Sequence, residues 1–192
     1  MEAGLGIIQV GYAGLSGTLE ILDKYREEIL KRTNEDFIAS LEEDRKSFYY
    51  IENNKISSDL LDEEISLEFT SEDFFIRRLG SLGVFGALYQ FAKDNSVGIE
   101  IYGMDIPVIQ ETIEICDMYD LNPYKLYSKG SFLIICKEAL KIQNDLSNLG
   151  VVSGIIGVTI DTQDKILHGK DHVGKLMKTK VDEIQKIRED KE

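Results

Sequence analysis

Two sets of glycines carry the clearest chemical signal in this sequence. Gly11, Gly14 and Gly17 stand three residues apart and run into Thr18-Leu19. Gly80, Gly83 and Gly86 repeat that spacing and run into Ala87-Leu88. A glycine turn that opens a helix exposes backbone N–H groups with no partner in the helix, and the helix dipole favours negative charge there. Two such turns facing each other could hold a phosphate. The same spacing also suits tight turns and close helix packing, because glycine permits both. Arg77 and Arg78 stand just before the second trio and are the only adjacent arginines in the chain. They could clamp an anion, or form a solvated pair that balances Glu72 and Asp73.

Other reactive residue types give weaker patterns. His168, Asp171 and His172 form an HxxDH cluster. Histidines four apart can share a helix face and bind a metal, but Gly169 lies between them and no third ligand is evident, so a polar loop is expected. Cys116 and Cys136 sit in apolar, periodic settings and are expected to be buried, inert thiols. The acidic stretches lack the Asp/Asn spacing of a calcium loop. No nucleophile elbow, serine triad order or Walker loop is present. No catalytic and no metal-ligating residue is assigned.

The elements that must position the glycines follow from hydrophobic periodicity. Leu5 to Val10 reads as a strand, and about Thr18 to Lys31 as a helix with Leu19, Leu22, Ile29 and Leu30 on one face. Thr33-Asn34-Glu35-Asp36 reads as the start of a second helix. Residues 42–64 are charged and turn-rich around Asn53-Asn54, and Ile65 to Thr70 alternates as a half-buried strand. Further on, helices are expected over Gly83–Lys93, Pro107–Tyr119, Glu138–Leu149 and Val173–Arg188. Strands are expected over Val97–Tyr102, Ser131–Cys136, Val152–Ile160 and Lys165–His168. Strands alternating with helices indicate a layered α/β structure.

Composition bounds the function. The chain has 192 residues, 43% of them hydrophobic, enough to bury a core without disulfides or metals. Its formal charge is −13, and residues 1–75 hold 18 acidic side chains against 7 basic ones. Such a chain repels phosphate backbones and anionic lipid, so neither nucleic acid nor membrane is an expected partner. The longest uninterrupted apolar run is five residues, Phe132–Cys136, whereas a membrane-spanning helix needs about twenty. Met1 to Val10 does not read as a signal peptide. With two cysteines in no paired motif, a cytoplasmic setting is expected.

The order of several segments resembles the C-terminal domain of the aminoimidazole ribonucleotide (AIR) synthase-related family. These are Gly83-Val-Phe-Gly-Ala-Leu-Tyr-Gln-Phe-Ala-Lys, Ser96-Val-Gly-Ile-Glu-Ile, Ile106-Pro-Val-Ile-Gln-Glu, Cys116, Leu121-Asn-Pro, Ser128-Lys-Gly-Ser-Phe-Leu-Ile and Gly154-Ile-Ile-Gly-Val-Thr. The resemblance covers about residues 74–167 and extends more weakly to Gly6–Thr18. Within the family it points to the hydrogenase-maturation-factor-like branch. It implies a two-domain enzyme in which an N-terminal domain binds ATP and Mg²⁺ through acidic residues, and the C-terminal domain closes over it. On this resemblance the chain starts where the C-terminal domain should start, so the nucleotide-binding half is expected to be absent.

The sequence departs from the family in two places. Active members carry Asp-Pro-Thr-x-Gly-Gly before the Val-x-Gly-Ala-Leu helix. Here the stretch reads Arg78-Leu79-Gly80-Ser81-Leu82-Gly83, which replaces an acid with a base. A metal–phosphate arrangement that depended on the aspartate should not survive. The chain closes on Asp190-Lys191-Glu192, without the C-terminal cysteine that the resemblance would require for the dehydratase reaction.

The expected fold class is α/β (α+β): an AIR synthase C-terminal-domain-like layered sheet with flanking helices. Residues 1–192 form one domain, with an acidic helical segment over about 15–64 and a C-terminal helix over about 173–188. The leading expectation is a non-catalytic relative that acts as a binding or assembly module. The ligand would be an anion held near Gly14, Ser16, Gly17, Gly80, Ser81 and Gly83, with Arg77 and Arg78 as charge partners. No cofactor is expected for this chain alone. The alternatives are the C-terminal half of an ATP-dependent enzyme that works with a nucleotide-binding domain on another chain, and a purely structural oligomer. Self-association into a dimer is expected, because the face that would lean on a partner domain needs cover.

Overall fold

The computed structural model describes residues 2–61, 63–69, 72 and 74–189. The chain begins with strand β1 (Gly6–Val10), turns at Gly11 and enters helix α1 (Leu15–Leu30). Helix α2 (Glu35–Glu43) follows, capped as its sequence predicts: the Asn34 side chain accepts a hydrogen bond from the Phe37 N–H at 2.8 Å. Next come strands β2 (Tyr49–Glu52), β3 (Lys55–Ser58), β4 (Ile65–Ser66) and β5 (Phe74–Arg78). The second glycine trio opens α3 (Gly83–Asp94), which leads into β6 (Gly98–Tyr102) and α4 (Gln110–Met118). The rest of the chain forms β7 (Phe132–Cys136), α5 (Ala139–Asn148), β8 (Ser153–Ile160), β9 (Lys165–His168), β10 (Val173–Lys175) and α6 (Ile184–Glu189).

Seven strands form one sheet in the order β10-β9-β6-β8-β1-β7-β5, antiparallel except for β6 beside β9. Its central strands are buried on both faces, which explains the unbroken apolar run Phe132–Cys136. Ile7, Leu133 and Ile135 face α3 with Val84, Leu88 and Phe91. Ile8, Val10 and Ile134 face the opposite way, onto α5 and the small sheet β2-β3-β4. A third apolar cluster joins α1, α2, α4 and α6 around Leu126. The expected α/β class is what the structure has.

Four expectations are corrected. First, the acidic segment 15–64 is helical only to residue 47, where a 3₁₀ turn over Asp44–Ser47 ends. Beyond it lies a β-hairpin. Tyr49 and Ile51 are buried while Tyr50 is exposed, and Asn53 and Asn54 take the two left-handed turn positions with φ 49° and 61°. Acidic side chains masked this alternation. Second, no helix spans 173–188. Val173, Met177 and Val181, the upper part of its apolar stripe, are 60–71% exposed; Val173–Lys175 pairs with β9, and only α6 is helical. Third, α4 starts three residues after Pro107, while α1 starts at Leu15, before Thr18. Beyond these three and the shortened strand at Ile65, which makes the fourth, the structure adds β5, where Phe74-Phe75-Ile76 is a short apolar run of strand type. The strand expected over 65–70 is confined to Ile65–Ser66; Thr70, like Asp73 and Asp190–Glu192, lies outside the described residues. No helix among the described residues is long and apolar enough to cross a membrane.

Candidate functional site

The two glycine turns meet on opposite sides of one segment, Pro123–Ser128. An added Cβ at Gly17 would lie 2.5 Å from Leu126 Cγ, and one at Gly83 would lie 2.5 Å from the Tyr124 carbonyl oxygen. Ser128 joins them: its hydroxyl accepts from the Gly14 N–H at 2.8 Å, while its own N–H donates to the Gly80 carbonyl at 3.0 Å. The turns are therefore neighbours, and the space between them is filled by the chain.

The start of α1 is closed by internal hydrogen bonds. The Gly17 N–H and the Ser16 hydroxyl both donate to the Tyr127 carbonyl at 2.9 Å. At the start of α3 an internal anion is present. Asp182, 5% exposed, takes the Leu82 N–H at 2.7 Å on one oxygen and the Tyr127 and Ile184 N–H groups at 3.0 Å on the other. A carboxylate among three backbone donors is the arrangement expected of an anion at a helix start. Leu82 itself has φ 71° and is followed by Gly83 at φ 61°. The turn thus keeps a backbone conformation suited to glycine where the sequence places leucine.

Beside this turn lies a cavity of about 270 Å³. Arg77, Gly80 and Ser81 border it from β5 and the turn, Tyr89 from α3, and Lys178 and Thr179 from the segment before α6. Thr179 is 6% exposed, and its hydroxyl has no hydrogen-bond partner among the described residues. A buried hydroxyl left unpaired costs about 1–3 kcal/mol, and this oxygen is closed off from solvent, beneath the cavity wall.

The arginine pair is split by strand geometry. Successive side chains of β5 point to opposite faces. Arg77 pairs with Asp94 of α3 at 3.2 Å, whereas the Arg78 guanidinium reaches the Ile51 carbonyl of the small sheet. Two neighbouring carboxylates are engaged, Asp94 by Arg77 and Asp182 by backbone N–H groups. No group of three or more His, Cys, Asp or Glu side chains placed to hold a metal ion occurs among the described residues. Of the residues singled out from sequence, Arg77, Arg78, Gly80 and Ser81 line the cavity. Gly14, Ser16 and Gly17 lie across the Pro123–Ser128 segment. Gly83 packs beneath the turn.

Lys178, Thr179 and Asp182 were missed, because their stretch was assigned to a helix. The available signal was charge: Lys165, Lys170, Lys175, Lys178 and Lys180 fall within sixteen residues of an otherwise acidic chain. The HxxDH cluster is not a helix face. His168 ends β9, stacks on Tyr102 and lies 2.6 Å from the Glu100 carboxylate. Cys116 and Cys136 are free and buried, and burial pushes their thiols up to about 12 and about 11.

No family model matches the sequence, and no curated protein is significantly similar to it. Solved structures do match the fold. E. coli HypE, a hydrogenase maturation protein, is 18% identical with a TM-score of 0.64, over 95% of this chain and 52% of that one. HypE in complex with ATP is 14% identical with a TM-score of 0.60, over 95% and 53%. Thiamine-monophosphate kinase from Stenotrophomonas maltophilia is 13% identical with a TM-score of 0.54, over 89% and 52%. The chain has the AIR synthase-like fold of these proteins and spans about half the length of each.

Proposed function

We propose that this chain is a non-catalytic binding module of the AIR synthase-like type, related to the hydrogenase-maturation branch. Residues 1–192 act as one domain that holds a phosphate-type anion in the cavity beside the α3 turn. One observation supports the reading: a cavity that presents Arg77, Lys178 and the Gly80-Ser81 turn, with the unpartnered Thr179 hydroxyl buried beneath its wall. In a chain of charge −13 the cavity carries cations, Arg77, shared with Asp94, and Lys178. The lack of catalysis is argued from Arg78, which stands where active relatives would carry the metal-linked aspartate.

Calorimetric titration with inorganic phosphate, AMP and ATP tests the proposal. Binding of at least one of them, weakened about tenfold by Lys178→Ala, is the expected result. Heat-silent titrations with all three overturn it.

A second reading is favoured by the comparison with HypE in complex with ATP, of which this chain spans about half. Here the chain is the C-terminal half of an ATP-dependent enzyme and meets a nucleotide-binding domain on another polypeptide. ATP turnover that appears only when such a domain is added would select this reading. The module is proposed to self-associate as a dimer through exposed apolar side chains such as Met104 and Leu149, and a native mass spectrum reports that directly.

A further inference from the structure

The large sheet ends at β5, and no strand lies beyond it among the described residues. Its neighbour β7 is buried throughout, whereas β5 is half-buried or exposed at every position, with Phe75 40% exposed. The ladder with β7 fixes which backbone groups are left over. The Leu79 N–H donates to the Ser131 carbonyl, and ladder bonds recur at every second residue, so Phe75 and Arg77 turn their backbone groups to β7. Ile76 and Arg78 turn theirs outward. An open edge of this kind is a template for another strand, and proteins blunt it with proline, a bulge or charges held along it. Here the pairing with β7 runs without a register shift, and the strand holds no proline. Its two charges are drawn off the edge onto opposite faces of the sheet, Arg77 to Asp94 of α3 at 3.2 Å and Arg78 to the Ile51 carbonyl.

We propose that this edge pairs antiparallel with β5 of a second copy, across a twofold axis at Ile76, so that two large sheets become one. The strand is its own complement. Antiparallel pairing of Phe-Phe-Ile-Arg-Arg with itself sets Phe74 against Arg78, Phe75 against Arg77 and Ile76 against Ile76. Each arginine meets an aromatic ring, and no like charges are opposed. Phe75 and Arg77 share the α3 face, where Asp94 holds the guanidinium and the Phe91 ring stands edge-on to Phe75 at 6.2 Å between centroids. The axis falls on a residue whose backbone groups face outward. The Ile76 N–H of each copy donates to the Ile76 carbonyl of the other, and the Arg78 N–H to the Phe74 carbonyl. A register centred on Arg77 would oppose two guanidinium groups, on a residue whose backbone is already spent on β7. This self-complementarity favours a second copy over an unrelated strand. The inference rests on the self-association proposed above and gives it a strand, an axis and a register.

Sedimentation equilibrium of the whole chain, at concentrations up to about 500 µM, tests the proposal. The wild-type chain is expected to dimerise. Ile76→Pro removes the outward N–H and leaves the β7 ladder intact, because an edge strand tolerates proline with its nitrogen towards solvent. That variant, shown to be folded by circular dichroism, should be monomeric. Ile76→Ala keeps the N–H and should stay dimeric. Phe75→Arg and Phe75→Glu lose the same ring but set opposite charges against Arg77 of the other copy. The dissociation constant should rise about tenfold in the first and not in the second. A monomeric wild-type chain overturns this inference and the self-association reading together. A dimer that survives in folded Ile76→Pro overturns this inference alone and leaves self-association to side chains such as Met104 and Leu149. A monomeric Ile76→Ala overturns it as well. So do equal effects of the two Phe75 variants, and that pair decides the matter if Ile76→Pro does not fold.

Discussion

The Asp182 carboxylate accepts the Leu82 N–H at 2.7 Å, across 100 residues of sequence. It thereby ties the segment before α6 to the glycine turn that starts α3. The same carboxylate holds the Tyr127 N–H, so three separate stretches of chain converge on one buried charge. That segment supplies Lys178 and Thr179 to the cavity wall, so Asp182 is a positioning residue for the proposed site.

Asp182→Asn should show this. The substitution keeps the shape but turns an amide donor toward at least one of the three N–H groups. The expected loss is about 2–3 kcal/mol of unfolding free energy, read as a lower urea midpoint. Anion affinity should fall in the same variant even under conditions where it remains fully folded.

Gly83 and Gly150 separate steric clash from backbone strain. Both have positive φ, but only Gly83 has backbone oxygens within 3 Å of the place a Cβ would take; around Gly150 that space is open. Gly150→Ala should cost about 1 kcal/mol, from the left-handed conformation alone. Gly83→Ala should cost at least about 3 kcal/mol, because Tyr124–Leu126 must also shift. Equal losses in thermal or urea unfolding would contradict the packing described.

The thiols give a pH dependence with a definite sign. In the unfolded chain a cysteine loses its proton at roughly pH 8.5. In the folded chain burial, and then Asp117 and Glu183, hold Cys116 protonated up to about 12, and burial followed by Glu138 holds Cys136 up to about 11. The unfolded state therefore binds fewer protons in this window. The contribution is fully present below about pH 8.5 and is lost as pH rises towards 11–12. Unfolding free energy should fall between pH 9 and 11, and less steeply in Cys116→Ala. A thiol reagent at pH 8 should label neither cysteine until the chain unfolds.

The β2–β3 hairpin turns on Asn53 and Asn54, both in the left-handed region. Asn54→Gly creates the turn pair most favoured for this geometry and should leave stability unchanged or raise it by up to about 1 kcal/mol. Asn54→Val, a β-branched residue in the same conformation, should lower it by about 1–2 kcal/mol. Thermal melts of the pair measure the difference.

Much of the sheet was legible in sequence because its residues face one environment along their whole length. Phe132–Cys136 is apolar on both faces and could only be an interior strand, and Asn34 announces α2 by its own side-chain chemistry. The glycine trios were legible for the same reason: positive φ and close approach are local demands that few other residues meet. What the sequence could not disclose was where the freed N–H groups would go. That depended on Ser128, Tyr127 and Asp182, each more than 90 residues from at least one of its partners.

The arginine pair illustrates the division. Adjacency suggested a clamp, but a strand places neighbours on opposite faces, and only pairing with β7 made Phe74–Arg78 a strand. Likewise the stripe Val173, Met177, Val181 has helical spacing, yet backbone pairing with β9 took its first residues. Periodicity records which side chains could share a face; the tertiary structure decided which backbone groups were satisfied elsewhere. For this protein the amino-acid order determined the layered sheet, the caps and the two glycine turns. The folded chain alone decided that the turns close on one internal segment, and that the unpaired hydroxyl of Thr179 stands beside them, because hydrogen-bond partners remote in sequence meet only when the core has packed.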